Sequence, residues 1–177
     1  MKGRVNPAGL GQLSVLIVED NEHMRILLRT LLKAFGIRDI KDCAEGGEAL
    51  RRLRERMPDF ILSDLAMAPM DGLQFTRSVR GSDNRMESIL PIIMVTGYTE
   101  RRRVEAARDA GVTEILAKPV TAAALFQRIE EIVLRPRPIV RTSTYHGPCR
   151  RRQNKPDYPG PWRRKEDRER GLETIDL

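Results

Sequence analysis

Five side chains with complementary chemistry stand at the ends of short, mostly apolar runs. In chain order they are Glu19, Asp20, Asp64, Thr96 and Lys118. Clustered carboxylates repel one another, so each gains by sharing a cation, and hard oxygen ligands with room for water suit Mg²⁺. A carboxylate beside Mg²⁺ can act as the nucleophile in phosphoryl transfer. These residue types therefore indicate a magnesium-dependent phosphoryl-transfer site.

Each of these side chains has a role in such a reaction. Glu19, Asp20 and Asp64 could bind the metal ion, partly through water. The transferred group spreads negative charge over its oxygens, which the metal ion, the Lys118 ammonium and the Thr96 hydroxyl could stabilise. Singly, each residue is ordinary, since Asp64 and Thr96 could cap helices and Lys118 could be a surface charge. The prediction depends on all five standing in order at successive strand ends.

Residues 14–134 alternate between short apolar runs and amphipathic stretches. The predicted strands are 15–18, 40–44, 60–63, 92–95 and 114–117. The predicted helices are 22–35, 46–57, 73–79, 101–110 and, after a cap at Thr121, about 122–134. This alternation predicts an α/β fold, a doubly wound five-stranded parallel sheet with five helices. In such sheets the active or binding site lies at the carboxyl ends of the strands, so the five side chains are expected to converge there.

The segments around these side chains resemble the CheY-like receiver family of two-component signalling, which has a flavodoxin-like fold. The matching segments are 15–20, 63–67, 70–72, 95–97 and 117–119. The resemblance implies that a histidine kinase or a histidine phosphotransfer protein transfers a phosphoryl group to Asp64, and that Thr96 and Lys118 sense it. The Mg²⁺ ligands that it implies are Glu19, Asp20, Asp64 and the backbone carbonyl of Ala66.

Two positions depart from the usual pattern of that family in ways that concern its loops and its switch. Ala68 replaces the proline that usually follows the methionine matched by Met67, and Pro69 comes next. We expect only a local change of backbone there. Ile115 stands where many members carry a switching tyrosine or phenylalanine, which puts the usual aromatic rotation in doubt. Tyr98 is close in sequence, but a solvent-facing loop tyrosine is the preferred interpretation.

Small side chains at Ala66 and Gly97 have two further implications. In the receiver family these positions influence how readily water attacks the phosphoaspartate, so an open site is expected to shorten its lifetime. Aspartate-nucleophile phosphatases usually need a second carboxylate two residues after the nucleophile, and Ala66 occupies that position. We therefore expect no enzyme activity beyond self-phosphorylation and self-dephosphorylation at Asp64.

The chain divides into three segments by composition. Residues 1–12 form an N-terminal extension, residues 13–134 the receiver-like domain, and residues 135–177 a basic tail. The tail holds 12 Lys or Arg against 6 Asp or Glu, and six of the eleven prolines. With few aliphatic residues it is expected to be mostly irregular and flexible. The charge asymmetry suggests an interaction segment.

The tail contains an internal repeat of the pattern Tyr-x-Gly-Pro-x-Arg-Arg. The two copies span residues 145–151 and 158–164. The repeats could dock a partner protein through aromatic and arginine anchors, bind nucleic acid, or fold back on the domain. Three acidic residues, Glu166, Asp167 and Glu169, interrupt the basic runs and weaken the nucleic-acid hypothesis.

Composition also excludes several classes of protein. Cys43 and Cys149 lie in no metal-binding pattern, so a structural disulfide or a zinc site is not expected. The sequence shows no signal-peptide core and no apolar run long enough to cross a bilayer. A cytoplasmic protein without membrane contact is therefore expected.

These observations lead to one preferred function and one alternative. The preferred function is a single-domain response regulator, in which phosphorylation of Asp64 switches contacts with an unknown downstream protein. The alternative is an adaptor whose basic tail binds RNA or DNA under the control of the domain.

Overall fold

The structure is a computed structural model, and it describes residues 10–97, 100–142, 144–149 and 173–175. Its main sheet has five parallel strands in the order β2-β1-β3-β4-β5. They are β1 Ser14–Val18, β2 Asp39–Cys43, β3 Phe60–Asp64, β4 Ile92–Thr96 and β5 Glu114–Ala117. The predicted doubly wound α/β fold is confirmed. Each strand begins and ends within about one residue of its predicted bounds.

Helices cover both faces of the main sheet. They are α1 Glu22–Ala34, α2 Gly46–Glu55, α3 Gly72–Arg80, α4 Arg85–Ser88, α5 Arg101–Ala110 and α6 Ala122–Leu134. The sequence analysis predicted all of these except α4, which has only one turn and therefore no apolar periodicity to detect. Within the described residues, no helix is long and apolar enough to cross a membrane.

The strands alternate their side chains between two apolar cores. In β1, Val15 and Ile17 belong to the core that includes side chains of α1 and α6, while Leu16 and Val18 belong to the core that includes α2 and α3. This is the two-residue period of a strand with helices on both faces. All five residues of β3 and of β4 are buried, which explains why these strands begin with continuous apolar runs and carry polar residues only at their carboxyl ends.

Polar side chains begin the helices that flank the carboxyl edge of the sheet. Asn21 caps α1, and Thr121 caps α6 as predicted, with its hydroxyl accepting from the N–H of Ala124 at 3.2 Å. Asp71 caps α3 in a capping box, in which Asp71 and Gln74 each accept from the other's backbone N–H. The loops that carry the polar residues are thereby held at their helix ends.

The described part of the tail contains three short strands that the sequence analysis did not predict. They are β6 Ile139–Arg141, β7 His146–Pro148 and β8 Glu173–Ile175, and they form an antiparallel sheet in the order β7-β6-β8. Ile139 is only 3% exposed, so this sheet buries apolar surface with the rest of the fold. The second repeat, at 158–164, lies outside the described residues.

The folded part also begins earlier than the sequence analysis expected. Leu10, which was assigned to the N-terminal extension, is 1% exposed and belongs to the same core as Leu28 and Leu32 of α1. Its N-terminal neighbours 1–9 lie outside the described residues.

Candidate functional site

The five predicted side chains lie at the carboxyl edge of the parallel sheet. Asp64 and Thr96 end β3 and β4, while Glu19 and Lys118 follow β1 and β5 directly. The strand register pairs Asp64 with Val95, which aligns these ends side by side. Glu19, Asp64 and Thr96 are buried, with exposed fractions of 1%, 5% and 4%, whereas Asp20 is exposed. The structure therefore brings together the residues that the sequence analysis singled out.

Lys118 joins the two buried carboxylates. Its Nζ lies 2.8 Å from Oδ1 of Asp64 and 3.1 Å from Oε2 of Glu19. Its backbone N–H donates to the carbonyl of Thr96 at 2.8 Å, which fixes the start of the loop after β5. Burial of the ammonium opposes its charged form, but the hydrogen bonds to Asp64 and Glu19 outweigh this effect and raise the pKa of Lys118. The lysine therefore stays charged in this site.

The acidic groups of the site carry more negative charge than Lys118 can neutralise. Burial, together with the nearby Asp64 carboxylate, raises the pKa of Glu19, and the contact with Lys118 only partly offsets this rise. Carboxylate oxygens of Glu19, Asp20 and Asp64 all lie within 4.8 Å of one another. Three carboxylates and one ammonium leave a formal charge of −2. This oxygen donor set fits a hard divalent cation such as Mg²⁺.

Asp64 is held from the loop that follows it. Its Oδ2 accepts from the backbone N–H of Ala66 at 2.8 Å, and so each carboxylate oxygen has a donor. The N–H of Leu65 continues the sheet by donating to the carbonyl of Val95 at 3.1 Å. The predicted role of the Ala66 carbonyl as a metal ligand remains a prediction.

Gly72 permits a close approach of α3 to the end of β3. A Cβ atom on Gly72 would lie 2.1 Å from the carbonyl oxygen of Asp64, far inside van der Waals contact. The N–H of Gly72 donates to the carbonyl of Leu65 at 3.0 Å. The sequence analysis placed Gly72 within a matching segment, but it did not detect this steric requirement, because the contact joins residues eight positions apart in the sequence.

Arg25 supports the acidic pair and was missed by the sequence analysis. Its Nη1 donates to the backbone carbonyls of Glu19 at 2.8 Å and Asp20 at 3.0 Å, and its Nε lies 3.4 Å from Oδ2 of Asp42. Arg29 also pairs with Asp42. Nothing in the sequence distinguishes Arg25 from the many other arginines of the chain.

The structure also describes the positions that depart from the family pattern. The Ala68–Pro69 peptide bond is cis, as is Lys118–Pro119. Ile115 is partly buried and packs against a small cluster that contains Leu65 and Met94. Tyr98 lies outside the described residues.

Two small residues leave open space beside the site. Apart from its chain neighbours, no described residue has an atom within 4 Å of a Cβ built on Gly97, and Ala66 is exposed. The shorter lifetime of the phosphoaspartate that the sequence analysis expected from these two positions remains a prediction.

Comparison with protein families agrees with this geometry. The family model described as the response regulator receiver domain matches residues 15–130. The chain belongs to this receiver family. The resemblance drawn from the motifs is thereby confirmed, and membership places the chain in two-component signalling. The matched range ends within α6, so the tail lies beyond it.

The curated relatives of this receiver include chemotaxis proteins. It is 35% identical over 120 residues to the chemotaxis protein CheY of Pseudomonas aeruginosa, covering 68% of this chain and 95% of that protein. It is 30% identical to the chemotaxis protein CheY-3 of Vibrio cholerae, covering 68% of this chain and 91% of that protein.

Solved structures with the same fold include two receivers. A putative response regulator from Chloroflexus aurantiacus aligns with a TM-score of 0.65 and 28% identity, covering 70% of this chain and 98% of that one. The receiver domain of a sensor histidine kinase from Pseudomonas aeruginosa aligns with a TM-score of 0.60 and 32% identity, covering 67% and 94%. That domain has a magnesium ion coordinated in its active site cleft.

Proposed function

We propose that this receiver accepts a phosphoryl group on Asp64 from a histidine kinase or a histidine phosphotransfer protein, in a reaction that requires Mg²⁺, and thereby switches its contacts with other proteins. The observation that carries the proposal is the environment of Asp64. Its carboxylate is 5% exposed, lies against Lys118 Nζ at 2.8 Å, and shares a cluster with Glu19 and Asp20.

Asp64 is the nucleophile in the proposed reaction. A carboxylate oxygen attacks phosphorus, the O–P bond forms, and the P–N bond to the donor histidine breaks. The histidine nitrogen leaves with the electron pair of that bond. When bound by Glu19, Asp20 and Asp64, Mg²⁺ supplies positive charge against the phosphoryl oxygens. Lys118 adds a second cation at the same oxygens, and the Thr96 hydroxyl stands at the end of the neighbouring strand to donate a hydrogen bond.

The surroundings of Asp64 support a switch that resets itself. The open space at Gly97 and the exposed position of Ala66 let water reach the acyl phosphate. Hydrolysis then returns the free carboxylate and inorganic phosphate. Because Ala66 provides no general acid, we expect no turnover of other phosphate esters.

An exposed apolar pair on α1 supports docking of the phosphoryl donor. Ile26 and Leu27 are 56% and 40% exposed, and they lie six and seven residues after Asp20, in the helix that follows the acidic pair. We expect a protein that reaches Asp64 to contact them. Exposed aliphatic side chains beside a reactive group are typical of a protein-binding surface.

The nucleic-acid alternative depends on tail charge alone and remains a prediction. It expects a mobility shift of DNA or RNA at low salt that disappears as salt rises. Absence of a shift at low salt would exclude it.

Phosphorylation of the full chain by acetyl phosphate tests the proposal. Intact mass should show one added phosphoryl group with Mg²⁺ and none without it. Asp64→Asn should abolish labelling, while Asp83→Asn, at an exposed aspartate in the turn between α3 and α4, should label like the wild type. If the Asp64→Asn variant is labelled as fully as the wild type, or if nothing is labelled, the proposal is wrong.

A further inference from the structure

The segment after α6 forms a hairpin from β6 and β7. Val140 faces Gly147 in the antiparallel register, and the N–H of Cys149 donates to the carbonyl of Pro138 at 2.7 Å. The turn is closed by Thr142, whose N–H donates to the carbonyl of Tyr145 at 2.7 Å. We call residues 137–142 and 144–149 the clasp hairpin, which contains the described part of the first repeat.

Arg137 anchors the clasp hairpin to the amino end of β5. Its Nη1 donates to the backbone carbonyl of Thr113 at 2.9 Å, and its Nη2 donates to the carbonyl of Cys149. Nη1 also lies 4.0 Å from the carboxylate of Glu114, which is only 4% exposed and lies 3.6 Å from Arg128. One guanidinium therefore bridges the tail and the receiver.

Two glycines bring the clasp hairpin against the turn after α5. Gly111 ends α5 with a φ of 96°, where a side chain is strained. A Cβ on Gly111 would lie 2.9 Å from the carbonyl oxygen of His146, and a Cβ on Gly147 would lie 2.8 Å from Cα of Gly111. The buried Arg80 completes the contact by donating from Nε to the Gly111 carbonyl at 2.9 Å. The backbone of the hairpin at Gly147 and the backbone of the turn at Gly111 therefore approach so closely that both positions require glycine.

The same turn adjoins a packed cluster that reaches the phosphorylation site. Val112, the residue after Gly111, packs with Ala107, Met94 and Leu65, and all four are buried. Leu65 directly follows Asp64. We therefore expect a displacement of the loop after Asp64 to reach, through this cluster, the turn on which the hairpin is seated.

We propose that the clasp hairpin is a built-in docking partner of the receiver, and that its docking and phosphorylation of Asp64 oppose each other. The second half of this statement rests on the proposed function. In the docked arrangement both oxygens of Asp64 are engaged, Oδ1 by Lys118 and Oδ2 by the N–H of Ala66. A phosphoryl group on either oxygen displaces one of these contacts. The structure thus combines a seated hairpin with an unphosphorylated Asp64 carboxylate.

Opposition between two sites is reciprocal. A phosphoryl group at Asp64 that lowers the equilibrium constant for hairpin docking by some factor must itself bind less tightly, by the same factor, when the hairpin is docked. Loss of docking therefore favours phosphorylation. The variant Gly147→Val tests this without changing a residue of the receiver. Its added Cβ would lie 2.8 Å from Cα of Gly111 and 2.8 Å from the hydroxyl oxygen of Tyr145 in the hairpin, so the hairpin cannot keep its seat on Gly111. Thr144→Ala is the matched control, since Thr144 is an exposed side chain in the turn of the same hairpin.

The experiment uses the full chain with Mg²⁺ and beryllofluoride, a stable mimic of the phosphoryl group. Hydrogen exchange of the amides between 140 and 149 reports docking, and calorimetric titration reports beryllofluoride affinity. We expect beryllofluoride to speed hairpin exchange in the wild type by at least about fivefold, the lower end of the ordinary range of coupling between two linked sites. Gly147→Val should exchange quickly without the mimic and bind it correspondingly more tightly, and Thr144→Ala should match the wild type.

Failure of this inference can be separated from failure of the proposed function. Unchanged hairpin exchange in Gly147→Val would show that the glycine contact does not seat the hairpin. Fast exchange in that variant with unchanged or weaker beryllofluoride affinity would overturn the coupling alone. A wild-type chain that neither binds beryllofluoride nor accepts phosphate from acetyl phosphate would overturn the proposed function, and the coupling with it.

Discussion

Replacing Gly72 with alanine should destabilise the fold at the point where it supports Asp64. The added Cβ would lie 2.1 Å from the carbonyl oxygen of Asp64 and 3.0 Å from Cα of Leu65. Both are backbone atoms and cannot rotate away as a side chain can. Relief of the clash therefore requires that the start of α3 or the end of β3 move, which also weakens the hydrogen bond from Gly72 N–H to the Leu65 carbonyl.

The size of this effect follows from the cost of overpacking. Extra atoms in a well-packed site lower the free energy of unfolding by about 1–3 kcal/mol, and a clash with backbone belongs at the upper end. For a chain of this length each kcal/mol lowers Tm by about 2–4 °C, so Gly72→Ala should lower Tm by roughly 6–12 °C. Labelling of Asp64 by acetyl phosphate should slow in parallel.

Thermal unfolding followed by circular dichroism measures this change, with Gly97→Ala as the matched control. In the part of the chain that the structure describes, no residue other than its chain neighbours comes within 4 Å of a Cβ on Gly97, and the φ of Gly97 is not positive. Alanine there removes unfolded-state entropy, so Tm should stay unchanged or rise by about 1–3 °C. If Gly72→Ala unfolds at the same temperature as Gly97→Ala, the steric argument is refuted.

Three further predictions follow from individual contacts. Arg25→Gln should weaken Mg²⁺ affinity about tenfold in calorimetry, because that guanidinium holds both backbone carbonyls of the acidic pair, whereas the exposed Arg54→Gln should leave it unchanged. Burial raises the pKa of Cys43 to about 11. A thiol-reactive disulfide at pH 8 should therefore modify Cys149 first and Cys43 only when the protein unfolds, and equal rates of modification would contradict this. Burial lowers the pKa of His146, and nearby arginines add to this, so the folded state binds its proton less readily than the unfolded state. The neutral imidazole contributes fully to the free energy of unfolding above about pH 6.5, the pKa of histidine in the unfolded chain. This contribution is lost as the pH falls through the lower pKa of His146 in the folded state. The Tm of the wild type relative to His146→Gln should therefore fall between pH 7.5 and pH 5, and a constant difference would exclude this role.

Most strands and helices of the main sheet could be predicted because each has a recognisable pattern of apolar and polar residues in the sequence. The strands β3 and β4 are buried at every residue, so each begins with a continuous apolar run, and their polar residues come only at the carboxyl end. The long helices α1 and α6 show apolar residues at helical spacing and polar caps at their starts. The single turn α4 has neither signal, and it was missed for that reason.

The tail hairpin could not be predicted because its strands are too short to carry a pattern. The strands β6 and β7 have three residues each, and prolines stand before one and at the end of the other. Such segments are not stable alone. Their stability comes from Arg137, which reaches Thr113, and from the contact between Gly111 and Gly147. These partners lie 24 and 36 positions apart in the sequence, and no short-range rule connects them.

The sequence by itself determined which polar side chains meet at the carboxyl edge of the sheet. Parallel strands place their carboxyl ends at one edge, so the order of acidic, hydroxyl and amino groups at those ends was enough to predict that they meet. Only the tertiary structure decided how they meet. That Lys118 contacts both Glu19 and Asp64, and that α3 approaches β3 so closely that residue 72 must be glycine, depends on distances set by the packing of helices onto the sheet. Such distances result from the sum of many contacts across the fold, and they are therefore not encoded at any one position.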